Sequence, residues 1–536
     1  MPMSRRPSQI AKATLLAGCI AAAPALAKEK PELTERLPAP TTAVDRITWA
    51  LYAEPSSLDP IYPNDFPPME VLANVCESLM RIAPDLSIEP ALATSVEAPD
   101  PLTLVYTLRP GVVFHSGAPV TADDVVYSLN RARSDKLGSY HTAVYANVAD
   151  ITATAPDKVT ITLAKPDQTL QQALATGSGR IVSRASTEAQ GKGFGGPGST
   201  VDCTGPYRLA TWRAGEGISL ERFDGYWDRS LPLLVKDVAF SFVRDPAARV
   251  NALLSGEVDG TWAVPASGFA RLQMGGSGTL AFGRSSGSYV AMVTDLAGPL
   301  ADPRIRKALA MSIDRDGIIL AAVGGAADRL ATPASPGTWG FAQADFEKAY
   351  AAIAGAEGTI EEAKRLVAEV GALSRPINIA ITNSQAEMPI IGAEVQRAAQ
   401  ALGLQAEITS LPADGYNALY SDAKARSGID LIFSLWQAEY PDPTQIYQYL
   451  EGSNFFNLAA WKNADFDAAL AASRATNDPV TRAAALIKAQ QIAVDDPAWL
   501  PLYTPYNPVF LREGLTGVPT AGVRFNYPWA AAIGGK

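Results

Sequence analysis

Residues Tyr106 to Ser128 read YTLRPGVVFHSGAPVTADDVVYS, and three structural signals follow one another in them. Apolar and polar residues alternate over Thr103–Leu108, which predicts a half-buried strand. Pro110-Gly111 and Ser116-Gly117 mark turns on either side of a short apolar stretch. Thr121 and Asp124 stand at capping-box spacing and predict a helix over Ala122–Ala132.

The same grammar extends in both directions. Alternation predicts strands at Ile47–Tyr52, Val159–Leu163, Tyr207–Trp212, Ile218–Phe223, Asp237–Val243, Tyr289–Thr294, Ile377–Thr382, Ala406–Thr409 and Asp430–Leu435. Asp245-Pro246, Asp302-Pro303 and Asp478-Pro479 each place an Asp cap before a Pro suited to the first helical turn. They predict helices over Pro246–Leu254, Pro303–Ser312 and Val480–Val494; Ile360–Val370, behind Thr359 and Glu362, and Met388–Leu402 are two more. Strands and helices interleave throughout, so the fold class is α/β. Gly191 to Gly196 spells G-x-G-x-x-G, but Pro197-Gly198 follows where a phosphate-binding helix must begin, so the stretch reads as a loop.

Composition removes several classes of function. The chain has 536 residues, 47% hydrophobic and 19% charged, enough for three or four masses of about 150 residues each. Its formal charge is −10, which argues against nucleic acid as a partner. Two histidines, His115 and His141, neither at metal spacing to a second His, Cys or carboxylate, leave no basis for a metal site, another cofactor or a serine triad. Fifty-five acids always offer carboxylate pairs, so an exported carboxylate-dependent hydrolase stays as a distant alternative.

The first 27 residues read as a secretory signal: Arg5, Arg6 and Lys12, then an apolar stretch ending Ala25-Leu26-Ala27. Cleavage there leaves 42 basic against 55 acidic residues, a formal −13, in a periplasmic protein. Leu16-Ala17-Gly18-Cys19 also fits a lipobox, which makes a lipid anchor at Cys19 the alternative. Residues 28–44, with Pro31, Pro38 and Pro40, read as a flexible leader. Cys76 and Cys203 remain, and the sequence leaves open whether they form a bridge or stay as thiols.

Tyr106–Ser128 closely resembles a signature segment of periplasmic solute-binding family 5, the dipeptide, oligopeptide and nickel class of ABC-transporter binding proteins. Further matches keep that family's order. They are Leu58-Asp59-Pro60, Cys203-Thr204-Gly205-Pro206-Tyr207 (Cys replacing the first Gly), Asp224-Gly225-Tyr226-Trp227, Asp302-Pro303-Arg304-Ile305-Arg306, and Trp436 to Pro443. The resemblance implies a two-lobed periplasmic-binding-protein fold with an accessory domain inserted in lobe I. Lobe I is expected from 45–75, 196–285 and 508–536, the accessory domain from 76–195, and lobe II from 286–507, with hinges near Ser288 and Tyr506. It also implies a monomer that closes on a solute and delivers it to the transmembrane subunits of an ABC permease.

The resemblance also nominates site residues. In peptide-binding relatives an acid after the Trp of the last segment pairs with the ligand ammonium; Glu439 holds that place, with Asp442 as the competing acid and Tyr440 between them. Glu replaces the usual Asp, which moves the carboxylate outward by about 1.5 Å. Trp436 matches a ligand-packing aromatic, and Tyr140, Trp262 and Tyr503 fall where cavity walls are expected. Dipeptide binders place an Arg after the strand equivalent to Ile377–Thr382, whereas Asn383 to Met388 has no base here. The expectation is therefore an oligopeptide rather than a dipeptide, with an oligosaccharide or another amine-bearing solute as alternatives and nickel chelates disfavoured.

Overall fold

The computed structural model describes residues 30–536 apart from 64, 357 and 523. The signal segment and Cys19 lie outside the described residues. The signature stretch folds as its pattern dictates: strand Thr103–Leu108, a turn in which Val113 bridges Pro119, and helix Ala122–Ala132 behind Thr121. Both halves of the capping box form between Thr121 and Asp124, satisfying backbone donors at the helix start. The turn docks on a second matched motif. The His115 N–H donates to the Cys203 carbonyl (2.8 Å), His115 Nε2 meets the Gly205 carbonyl (3.0 Å), and Ser116 bonds Asp202. Gly205 lies so close to the Val75 carbonyl that an added Cβ would be 2.6 Å from it, so no larger residue fits. Beside it Cys76 and Cys203 are joined as a disulfide, with Cα atoms 4.9 Å apart, which answers the question the sequence left open.

Among the described residues, three large sheets carry the molecule. A seven-stranded sheet runs Gly278–Gly283, Asn507–Arg512, Gly260–Thr261, Val44–Leu51, Val235–Phe242, Gly217–Arg222 and Tyr207–Arg213. Its Val44–Leu51 and Val235–Phe242 strands are parallel, in register Trp49 to Phe240. A six-stranded sheet runs Ala327–Arg329, Trp499–Pro505, Gly287–Val293, Leu431–Gln437, Ile377–Thr382 and Ala406–Leu411. A four-stranded antiparallel sheet, Ala93–Asp100, Thr103–Leu108, Lys158–Leu163 and Val148–Ala155, lies within the stretch expected as the accessory domain.

The cores divide accordingly. One apolar core runs continuously from the seven-stranded sheet (Trp49, Val238) into the four-stranded one (Tyr106, Ile161), while a second encloses the six-stranded sheet. Two segments cross between the large sheets: Arg284 to Ser286 links Gly278–Gly283 to Gly287–Val293, and Tyr506 links Trp499–Pro505 to Asn507–Arg512. Two masses joined by two narrow crossings form the two-lobed α/β architecture.

From residue 30 onward the stretch expected as a leader lies along the body of the molecule. Leu33 bridges Phe282, Arg36 bridges Pro519 and Thr42 bridges Gly535, while Lys30 pairs with Asp328. Gly278–Gly283 is an edge strand, and Thr34 donates its N–H to the Phe282 carbonyl there, while Leu37 and Thr41 donate to the carbonyls of Val518 and Gly535 in the C-terminal stretch.

Candidate functional site: the cleft between the lobes

The strand Leu431–Gln437 ends where Gln437 pairs with Gly287, at the first crossing. Residues 438–443 then leave the sheet and face lobe I. Ser286 Oγ donates to the Ala438 carbonyl (2.7 Å), and Asn526 Nδ2 reaches across to the Glu439 carbonyl (3.2 Å). The Glu439 N–H donates to Gln445 Oε1 (3.1 Å), which fixes the backbone at that residue.

Four matched residues of this segment meet different fates. The Glu439 carboxyl is held above the ordinary carboxylate range by burial, opposed by the positive field of Arg180. Among the described residues, no Lys or Arg stands within ion-pair distance of it. Some of its surface still reaches water, so it is a dehydrated group at a cleft rather than a core residue. Tyr440 is buried, contacts Thr169 of the accessory region, and its phenol is pushed up mainly by burial. Asp442 is fully buried, accepts from the Thr444 N–H (2.8 Å) and pairs with Arg482 at 2.5 Å, a turn and a lobe II ion pair. Trp436 is half-buried, stacked on Trp499 (5.4 Å), against Tyr449 (4.4 Å) and Phe456 (5.0 Å), with its indole N–H on Met292 Sδ.

The other nominated aromatics are split. Tyr140 is 52% exposed and lies within electrostatic reach of Glu439, which together with burial raises its phenol. Tyr449 is raised by burial, by Glu439 and by Tyr140, so these three residues share one neighbourhood. Trp262 is 3% exposed and packs between Trp49 (4.7 Å) and Trp529 (4.8 Å) in the lobe I core. Tyr503 is buried and stacks on Tyr289 at 4.9 Å in the lobe II sheet. The structure thus gathers Glu439, Tyr440 and Tyr140, while Trp262 and Tyr503 face other rings.

Sequence reasoning missed Arg180, Tyr449 and Asn526. Arg180 follows the Gly177–Gly179 turn, is 5% exposed, and donates from Nη2 to the Phe525 carbonyl (2.5 Å). Burial pushes it down to about 10, and Glu439 opposes that shift, so it stays a cation at neutral pH. Two recesses meet at Asn526. One, a small cavity of about 20 Å³, is lined by Ile82, Leu86, Arg284, Ser286, Glu439 and Asn526. The other, also about 20 Å³, is lined by Glu77, Arg81, Thr176, Arg180 and Asn526. A larger recess of about 140 Å³ lies wholly within lobe II, lined by Met311, Glu362 and Val494 among others, away from these charges. Among the described residues no His, Cys, Asp and Glu cluster suits a metal ion, and no helix is long and apolar enough to cross a membrane.

The comparisons agree with this geometry. A family model, bacterial extracellular solute-binding proteins, family 5 Middle, matches residues 87–457. The glutathione-binding protein GsiB of Salmonella paratyphi A is 27% identical over 508 residues, covering 91% of this chain and 95% of GsiB. The unliganded open form of MppA, a periplasmic murein tripeptide binding protein, superposes with TM-score 0.75 at 21% identity, covering 93% of this chain and 99% of MppA. DppA of Helicobacter pylori in complex with peptide STSA gives TM-score 0.74 at 21% identity, over 92% and 98% of the two chains. At those identities the two structures speak for the fold alone. A family match over residues 87–457, on a two-lobed scaffold with a charged cleft at its crossings, places the chain in family 5 of the bacterial extracellular solute-binding proteins, a family of binders rather than of enzymes.

Proposed function

We propose that this binding protein encloses a short peptide between its lobes and hands it to the transmembrane subunits of an ABC permease. The observation that carries the reading is Glu439, a dehydrated carboxylate at the cleft with no basic side chain in ion-pair range among the described residues. A shielded charge without a partner is costly, and a peptide ammonium is a fitting counter-charge. A few residues are preferred to the longer peptides the sequence suggested, and to an oligosaccharide, because the ligands named for similar proteins are short peptides. The names of similar proteins support a peptide: glutathione for GsiB, a murein tripeptide for MppA and the peptide STSA for DppA. The crossings at Arg284 to Ser286 and at Tyr506 serve as the hinge, and the ligand shifts the population toward closure because only the closed form touches it from both lobes.

The test is thermal unfolding of the purified protein with defined pools of di-, tri-, tetra- and octapeptides. A ligand that binds only the native state raises the melting temperature. Tri- or tetrapeptides are expected to raise it, and Glu439→Gln to abolish the rise. A shift with octapeptides alone overturns the short length; a shift with oligosaccharides and none with any peptide overturns the peptide.

A further inference from the structure

Among the described residues, Arg180 is the charged side chain of the inner recess that has no ion-pair partner. The other charges lining that recess are committed. Glu77 accepts from the Tyr226 hydroxyl (2.8 Å) and the Trp227 indole N–H (3.0 Å). Arg81 donates to Glu89 (2.6 Å) and Asp228 (2.8 Å). Arg180, 5% exposed, has no carboxylate within ion-pair distance among the described residues; the bond seen is to the Phe525 carbonyl. A guanidinium carries five N–H donors, so most of its capacity is unspent. Its Nη1 lies beside Gly177, where an added Cβ would sit 3.6 Å away and narrow the space in front of it.

The recess of Arg180 adjoins that of Glu439, and the two charges lie within electrostatic reach of each other. Phe525 gives its carbonyl to Arg180, Asn526 gives its side-chain N–H to the Glu439 carbonyl, and Asn526 lines both recesses. One dipeptide of lobe I therefore spaces a buried cation from a dehydrated, partly exposed anion, close enough for each to feel the other but not to pair. Burying two opposite charges apart is costly unless something completes both.

We infer that Arg180 is an anion anchor that receives a carboxylate of the bound solute, so that with Glu439 it selects a compact zwitterion whose acidic and ammonium groups both enter the cleft. This rests on the peptide reading for the ammonium end, and it supplies the base that is missing from residues 383–388. A guanidinium suits the role because it meets both carboxylate oxygens in one plane.

The full-length protein is titrated with a tripeptide pool bearing free C-terminal carboxylates and with the same pool amidated. In the unsubstituted protein the free acids are expected to bind at least about tenfold more tightly than the amides. Arg180→Gln brings that ratio to about one, and Arg180→Lys, which keeps the cation and guards against a folding defect, retains most of it. Equal binding of acids and amides overturns the Arg180 role and leaves the peptide reading standing. Binding of neither pool overturns the peptide reading, and acetate at matched ionic strength then decides for Arg180. A rise in melting temperature with acetate in the unsubstituted protein and Arg180→Lys, absent in Arg180→Gln, supports the anchor; no rise in any of them overturns it.

Discussion

Asp442 and Arg482 close on each other inside lobe II at 2.5 Å, and Asp442 has no exposed surface. Arg482 also donates to the Ser473 carbonyl (3.2 Å) and lies 4.7 Å from the Phe341 ring. Three residues earlier Glu439 has no such partner. Two acids of one short segment are thus expected to differ in what they do for stability. Asp442→Ala strands a buried guanidinium and should cost roughly 3–5 kcal/mol, read as a lower urea midpoint. Glu439→Ala removes a dehydrated charge and should leave the midpoint unchanged or raised. Equal losses from both would contradict the assignment of one acid to the scaffold and the other to the cleft.

The raised pKa of Glu439 sets a pH dependence for binding. An amine ligand needs the carboxylate, so affinity should fall as pH drops through a value above the ordinary carboxyl range, by about tenfold per unit beyond it. Of the groups around it, Glu77 in the adjoining recess, pushed up to about 7 by burial, titrates in the same range, so the slope is assigned by its loss on substitution of Glu439; the others do not share that window. Arg180 stays charged, the phenols of Tyr140 and Tyr449 are pushed upward, and burial pushes the nearby His141 down to about 4. Calorimetric titration with a peptide amide across pH 4 to 8 should show a slope that Glu439→Gln flattens.

His141 should leave its own mark on stability. Its Nε2 bonds the Pro60 carbonyl at 3.1 Å, and burial, aided by Arg180, lowers its pKa from 6.5 to about 4. The unfolded chain takes up that proton near 6.5 and the folded chain near 4. The imidazole therefore contributes stability above pH 6.5 that is lost progressively down to about 4, at most roughly 3 kcal/mol. Glu70 and Glu77, both pushed up to about 7 by burial, tilt the curve the other way, because the folded chain holds their protons more tightly. The contribution is therefore read as the difference between the unsubstituted protein and His141→Gln, which should shrink toward pH 4.

The disulfide ties Cys76, where the accessory stretch begins, to Cys203, just after it ends, across 127 residues. Cross-linking so long a loop restricts the unfolded chain, and its loss typically costs about 2–5 kcal/mol. Cys76→Ser with Cys203→Ser should lower the melting temperature by several degrees, and reductant should do the same to the native protein. No change with either would mean that packing between His115 and Gly205 already holds the base of the insertion.

Where local chemistry sets structure, the sequence was readable. Ile377–Thr382, Ala122–Ala132 and Pro303–Ser312 fall where alternation and caps put them. The crossing strand Trp499–Pro505 was not visible, because it is buried almost throughout and so carries no alternation, and it holds two prolines. Asn507–Arg512 starts directly after it with no turn residue to divide them. In the cleft, Glu439 was legible through the matched segment around it, and Tyr140 through its place in the chain. Arg180 was not, since its meaning depends on Phe525, 345 positions away, and no local spacing encodes that distance.

The part played by Phe525 and Asn526 bears on when the molecule becomes able to bind. A chain made from its N-terminus releases these two residues after every other named wall of the recesses, with Pro528 alone to follow. Until they dock, Arg180 lacks its carbonyl and the two recesses lack their shared boundary. The receptor thus has no finished seat for a solute until nearly the whole chain has been made, and a partial chain has nothing to hold.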